Sequence, residues 1–207
     1  MCIRDRYRTR CNQSSATGPV FYAGTLRVSK PFYDALVARF ETLEHELNML
    51  DAATGDGDHG STIVKGLRAI AADENNTPAK SFRRAAGGAS GSLFAQLIGA
   101  LDQVLNHGHD LSDALQTAAD RINQLGQAVS GDKTMLDALL PAAQADSISS
   151  AISAAQQGAD ATIAMVARRG RAKNVEGGGA GHKDAGATSV VEMLTVFANY
   201  YPVPPEQ

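Results

Sequence analysis

Cysteine is nearly missing from this sequence: Cys2 and Cys11 are the only two in 207 residues. Both fall in the first stretch of the chain, so there is no disulfide framework of the kind that holds small secreted domains together. Long apolar runs are missing too, since none approaches the ~18 residues that a membrane-spanning helix requires. An excess of positive charge is also absent. A formal net charge of −3 gives no basic footprint for nucleic acid. These absences lead us to expect a cytoplasmic protein with neither nucleic acid nor membrane among its partners. No serine or cysteine stands in a recognisable nucleophile context, which argues against hydrolase chemistry.

Strand-like alternation of apolar and polar residues is the last absence, and it decides the fold class. With 43% hydrophobic and 20% charged residues, the composition is that of a globular protein. Its apolar residues recur at helical spacing almost throughout. Phe32, Tyr33, Leu36, Val37, Phe40, Leu43 and Leu47 form one stripe. Further stripes run over Ile63 to Ile70, Leu93 to Leu105, Leu111 to Val129, Met135 to Leu140, Ile148 to Val166, and Val190 to Phe197, the last stopping before Pro202. With a short helix near Ser81 to Ala86, the expectation is an all-α domain of about eight helices spanning residues 19–207. Residues 1–18 carry four arginines and few apolar side chains. That segment is expected to be disordered or non-native, and it is left out of the fold.

What is present in abundance is glycine, 20 residues of it, gathered at a few joints. The first joint lies in Leu50 to Gly66, LDAATGDGDHGSTIVKG. It puts three carboxylates, Asp51, Asp56 and Asp58, on one short loop. Hard cations such as Mg²⁺ take oxygen ligands of this kind, completing their shell with water and substrate phosphates. If a helix starts near His59, the N–H groups of Gly60, Ser61 and Thr62 lie at its positive end, where phosphate oxygens bind. The alternative is a solvated Asp/Gly turn with Asp58 as N-cap. An EF-hand does not fit, because Leu67 stands where its loop needs a bidentate Glu.

Three more glycine clusters follow: GGASGS at 87–92, SGDKT at 130–134, and a long stretch at 170–189. Helix joints need little glycine, so clusters at several joints suggest a ligand site at one end of a bundle. Taken singly, each is equally well read as close packing or a mobile loop. Ser90 is either an anion contact or the N-cap of the helix after it. Lys133 and Arg171 are the cations best placed by their motifs. Asp132 and Thr134 read as cap and first turn of a helix near Met135. His59 and His182 lie inside glycine motifs, whereas His45, His107 and His109 look like surface positions.

These four motifs in this order resemble the L domain of dihydroxyacetone kinases, from about Phe32 to Tyr201. The resemblance implies an eight-helix antiparallel barrel with ADP or ATP bound at one end through two Mg²⁺ ions. It implies that Asp51, Asp56 and Asp58 hold the metal. His59, Gly60, Ser61 and Thr62 then contact the nucleotide, with Ala89 and Ser90 at the phosphates and Gly126, Thr134 and Met135 around the nucleoside. Arg171, Asp184, Ala185 and Gly186 would belong to a loop that covers it. Ala185 departs from the proline common in the family, and Val175 to Gly179 form an unusually glycine-rich insert, both implying a less rigid loop. In this family the triose is held on a separate K-type domain or subunit, and nothing in this sequence matches it. The resemblance therefore implies a phosphotransferase active only with a K-type partner, ATP-dependent or phosphoenolpyruvate-linked. A phosphotransfer protein and a homodimer or heterocomplex are further possible partners. The alternative function is a nucleotide-binding regulatory module of the same fold.

Overall fold

The computed structural model describes residues 29–201; the expectations for residues 1–18, and both cysteines, lie outside them. Among the described residues there are eight α-helices and no strand: α1 (Lys30–Ala52), α2 (His59–Ala72), α3 (Pro78–Ala86), α4 (Gly88–His107), α5 (Leu111–Gly126), α6 (Met135–Ala143), α7 (Ile148–Ala161) and α8 (Ala185–Phe197). Each packs against the next in the chain, and α8 packs back on α1, which closes the ring. Short connections between touching neighbours make the successive helices from α1 to α7 antiparallel. The all-α barrel expected from the sequence is the observed fold. No helix among the described residues is long and apolar enough to cross a membrane.

The stripes read in the sequence fill the interior. Phe32, Leu36, Phe40, Leu67, Phe82, Leu97, Ile98 and Leu101 are fully buried. Phe32 sits edge-on to Phe197 at 5.5 Å between ring centres, tying the start of α1 to the end of α8. At the same end Ser29, Tyr33 and Asn106 all donate to Asp102.

Three expectations need correction. Ile163 and Val166 do not continue α7, which ends at Ala161; they lie in the loop beyond it and are 40% and 57% exposed. The buried stripe of α7 is Ala151, Ala155 and Ala159, with Ile148 and Ile152 packed partly buried against the core as expected. The reason is its close approach to α6, where Gly158 faces the Asp137 carbonyl with no room for a side chain. Leu125 and Val129 do not extend the stripe of α5 either. Leu125, in the last turn of the helix, is 58% exposed, and Val129 is 53% exposed because the helix stops at Gly126 and Gln127 turns into the left-handed region. Ser90 is not the N-cap of α4, which is Gly87; it sits in the first turn.

The α6–α7 contact matters because α6 carries Thr134 and Met135 to the cleft described below. Gly158→Ala is expected to lower stability by about 1–3 kcal/mol, the range for overpacking a tight interface. Helix propensity alone would predict a gain of about 1 kcal/mol. Urea denaturation measures the sign.

Candidate functional site

One end of the barrel opens into a cleft of about 300 Å³. Its wall comes from every glycine cluster of the sequence. The first contributes Asp51, Thr54, Asp56, Asp58, His59 and Thr62; the second Ala86 to Ser90, with Leu93 and Phe94; the third Lys133, Thr134 and Met135; the last Arg169 to Ala172 and Asp184 to Gly186.

The acidic loop folds back on the helix that delivers it. The Oδ2 of Asp51 accepts from the N–H groups of Gly57 and Asp58, at 2.9 and 3.1 Å. Gly57 has φ +76°, in the left-handed region that favours glycine. The result is that carboxylate oxygens of Asp51, Asp56 and Asp58 lie within 4.8 Å of one another. Oxygens around Mg²⁺ at about 2.0–2.1 Å stand about 2.9 Å apart when adjacent and about 4.2 Å when opposite, so the three acids fit such an ion with small adjustments. The guanidinium of Arg171, from the loop after α7, reaches Asp56.

The start of α2 differs from expectation. Two of its N–H groups already have acceptors: Ser61 donates to Asn48 Oδ1 at 3.1 Å, and Thr62 to the Asp58 carbonyl at 2.9 Å. The Ser61 hydroxyl turns to Glu44 at 2.7 Å. Gly60 packs so closely on α1 that a Cβ would collide with the Glu44 carbonyl. Gly60 and Ser61 therefore join α2 to α1 and do not line the cleft, whereas His59 and Thr62 do. Gly126 is not on the wall either; it stands behind Leu93, whose methyl carbons a Cβ there would meet at 3.7 and 3.9 Å.

Asp58 makes no side-chain cap bond to α2, so the capping alternative for it fails and its carboxylate stays with the cluster. Thr134 does cap its helix, in a reciprocal box with Asp137. Ala185 is the first residue of α8, after Asp184 at φ −71° and ψ 126°. Proline is compatible with both positions, so its replacement by alanine removes stiffness without removing a hydrogen bond. Part of the glycine-rich insert packs against its neighbours. Gly177, Gly178 and Gly179 have φ of 73°, 57° and 69°, and the last two are buried, Gly179 against Thr54 next to the acidic loop.

Sequence reasoning missed the partners that set these groups. His59 is 8% exposed, its Nε2 lies 2.9 Å from Ser189 Oγ, and its ring stands edge-on to Phe94 at 5.6 Å. Burial lowers its pKa to about 4. Half-buried Asp184 moves the other way, up to about 6, because burial disfavours its charge. Its Oδ2 nonetheless caps α8 through the Ala187 N–H at 2.7 Å. Ser189 is the last residue of the fourth glycine-rich stretch, but nothing in that stretch marks it as the partner of His59.

Residues 53–199 match the DAK2 domain family. The chain is 35% identical to the D-erythrulose kinase of Mycolicibacterium smegmatis, over 86% of this chain and 36% of that protein. It is 32% identical to the dihydroxyacetone kinase of Citrobacter freundii, over 80% of this chain and 34% of the kinase. It is also 32% identical to the ADP-binding subunit of the PEP-dependent dihydroxyacetone kinase of Escherichia coli, over 77% of this chain and 89% of that subunit. The crystal structure of the C. freundii kinase with AMP-PNP and Mg²⁺ superposes with a TM-score of 0.66 at 27% identity, covering 95% of this chain and 38% of the other. The chain thus spans about a third of the length of the first curated relatives that it matches.

The two shifted groups oppose each other in acid. In the cation-free protein, buried His59 stays neutral while the unfolded chain takes up a proton below about pH 6.5. Stability is therefore lost as pH falls from about 6.5 towards 4, by on the order of 3 kcal/mol from this group. Asp184, with its raised pKa, adds stability over much of the same window as it protonates in the folded state first. His59→Gln should remove only the first effect. Its unfolding free energy relative to wild type is expected to rise as pH falls from 7 to 4, as chemical denaturation at each pH would show.

Proposed function

This chain belongs to the DAK2-domain family, and from that premise we propose that it is the nucleotide-binding half of a kinase acting on dihydroxyacetone or a related ketose. The carrying observation is the meeting, in one cleft, of three clustered carboxylates, a glycine turn and a pair of loop cations. The names of its relatives favour the same chemistry, since they are kinases of dihydroxyacetone and erythrulose. One of the relatives is an ADP-binding subunit.

In this reading Asp51, Asp56 and Asp58 hold two Mg²⁺ ions. When bound, they neutralise charge on the phosphates of ADP or ATP. Thr62, Ala89 and Ser90 take the phosphate side of the cleft. Thr134 and Met135, with Leu93 and Phe94, take the nucleoside side. Asp184, Ala185 and Gly186 close the wall beside it, and Arg171 exchanges Asp56 for a phosphate oxygen as the ion arrives. His59 serves as a neutral wall group fixed by Ser189, while Gly60, Ser61 and Gly126 act through the neighbours they hold in place. These residues bind and orient the phosphoryl donor.

The acceptor and its base come from a K-type partner. The distribution of exposed side chains supports a docking face at this end. Met49, Leu125, Val129, Ile163, Val166 and Val175 are the large hydrophobics left exposed among the described residues. All belong to the C-terminal end of α1, the joint between α5 and α6, or the loop after α7, which surround the cleft. Exposed cations stand beside them: Arg83 and Arg84 in the last turn of α3, and Arg168, Arg169, Arg171 and Lys173. The opposite connections, at 73–77, 108–110 and 144–147, are polar. An apolar rim with cations around a phosphoryl site fits a partner of complementary, acidic rim.

Phosphorylation of dihydroxyacetone, followed with the chain alone and with the substrate-holding subunit of a related kinase, tests this reading. No useful turnover is expected alone, and turnover is expected in the mixture. Asp56→Asn should abolish it while leaving the fold as stable or more so. Leu125→Asp should raise the partner concentration needed by at least about fivefold, the effect of losing an interface contact worth over 1 kcal/mol, with nucleotide affinity unchanged. Robust turnover by the isolated chain would contradict the division of labour.

A further inference from the structure

Lys133 is the only lysine buried among the described residues, at 2% exposed, and its backbone sits at φ +61°, where side-chain-bearing residues are rare. Its Nζ donates to the carbonyls of Thr162 and His182, each at 2.5 Å. Those carbonyls stand at the two ends of the loop that carries Arg169 and Arg171, so a single ammonium draws both ends together next to Thr134 and Met135. The loop between them is folded on itself: Gly181 donates to Ile163 at 2.7 Å, and Ala167 to Gly178 at 2.9 Å. Thr162 is tied a second time, because its Oγ1 accepts from the Asp184 N–H at 2.9 Å. The acids nearest in effect to the ammonium are Asp184 and Asp137, while burial opposes its charge.

An ammonium has three donors. Two go to the loop carbonyls, and Lys133 lines the cleft. A lysine that only cemented the fold would need neither a left-handed backbone nor a place on that wall. We propose that Lys133 couples occupancy of the cleft to the closing loop: its third N–H donates to an acceptor oxygen of the bound nucleotide while the other two hold the loop ends. The loop then feels the nucleotide through this side chain, as well as through Arg171. This inference rests on the nucleotide reading of the cleft and deepens it.

The experiment has two parts, both on the full chain. In the wild type, the ¹H–¹⁵N signal of the Lys133 ammonium is followed by NMR while Mg–ADP is added. A shift that saturates with the binding curve is expected, and a signal unmoved at saturation overturns the proposal. In Lys133→Met, which keeps the length of the stem and removes the donors, calorimetry should give Mg–ADP affinity at least tenfold weaker. Hydrogen exchange of this variant should show that ADP no longer protects residues 163–183 but still protects residues 51–62. Wild-type affinity with wild-type protection of 163–183 would overturn the coupling. If the variant does not fold, the NMR measurement decides alone. If the wild type binds no Mg–nucleotide, the reading beneath the proposal fails with it, an outcome distinct from binding without a response at Lys133.

Discussion

Three carboxylates held within 4.8 Å of one another repel unless positive charge sits among them. Asp56 and Asp58 are exposed, so solvent screens this repulsion to on the order of 1 kcal/mol per pair. Much of this structure is arranged to hold the acids together despite that cost. Asp51 is fixed by the N–H groups of Gly57 and Asp58. The helix after the loop is fastened to the helix before it through Asn48, Ser61 and Glu44. The guanidinium of Arg171 supplies a charge from across the cleft. A cation that entered the cluster would relieve the repulsion and free that guanidinium, so the acidic loop and the closing loop respond to one event.

Around this cluster the other ionisable groups of the cleft are shifted or tied by their surroundings. His59 is buried and neutral, its ring fixed between Ser189 and Phe94. Asp184 has its pKa raised by burial and still caps α8. Lys133 spends donors on backbone carbonyls, joining the loop ends. The barrel contributes rigidity, because α1, α2, α6 and α8 bring these groups in from parts of the chain far apart in sequence.

What could be read from the sequence was local. α1 was legible because large apolar residues recur every three or four positions against charged neighbours, and its buried face is the expected one. The acidic loop was legible because its three acids lie within eight residues and its glycines mark the turn. α7 was misjudged at its end because its buried face is alanine, which has little contrast with the serines and glutamines around it, while Ile163 and Val166 continue the period by chance into an exposed loop. At the start of α2 the partner of the Ser61 N–H could not be read from the sequence, because it is Asn48, a side chain of the preceding helix. The contacts that set the site were out of reach: Ser189 is 130 residues from His59, and His182 is 49 from Lys133. Only the fold brings them together.

The central claim is that cation and nucleotide bind as one unit at Asp51, Asp56 and Asp58. Electron paramagnetic resonance of Mn²⁺, used in place of Mg²⁺, counts free and bound ion directly in titrations with and without ADP. The expected result is weak binding of the ion alone, affinity raised at least tenfold by ADP, and ADP affinity raised by the same factor when the ion is present, as reciprocity of coupled binding requires. An ADP affinity indifferent to the ion, or an ion affinity indifferent to ADP, would contradict it.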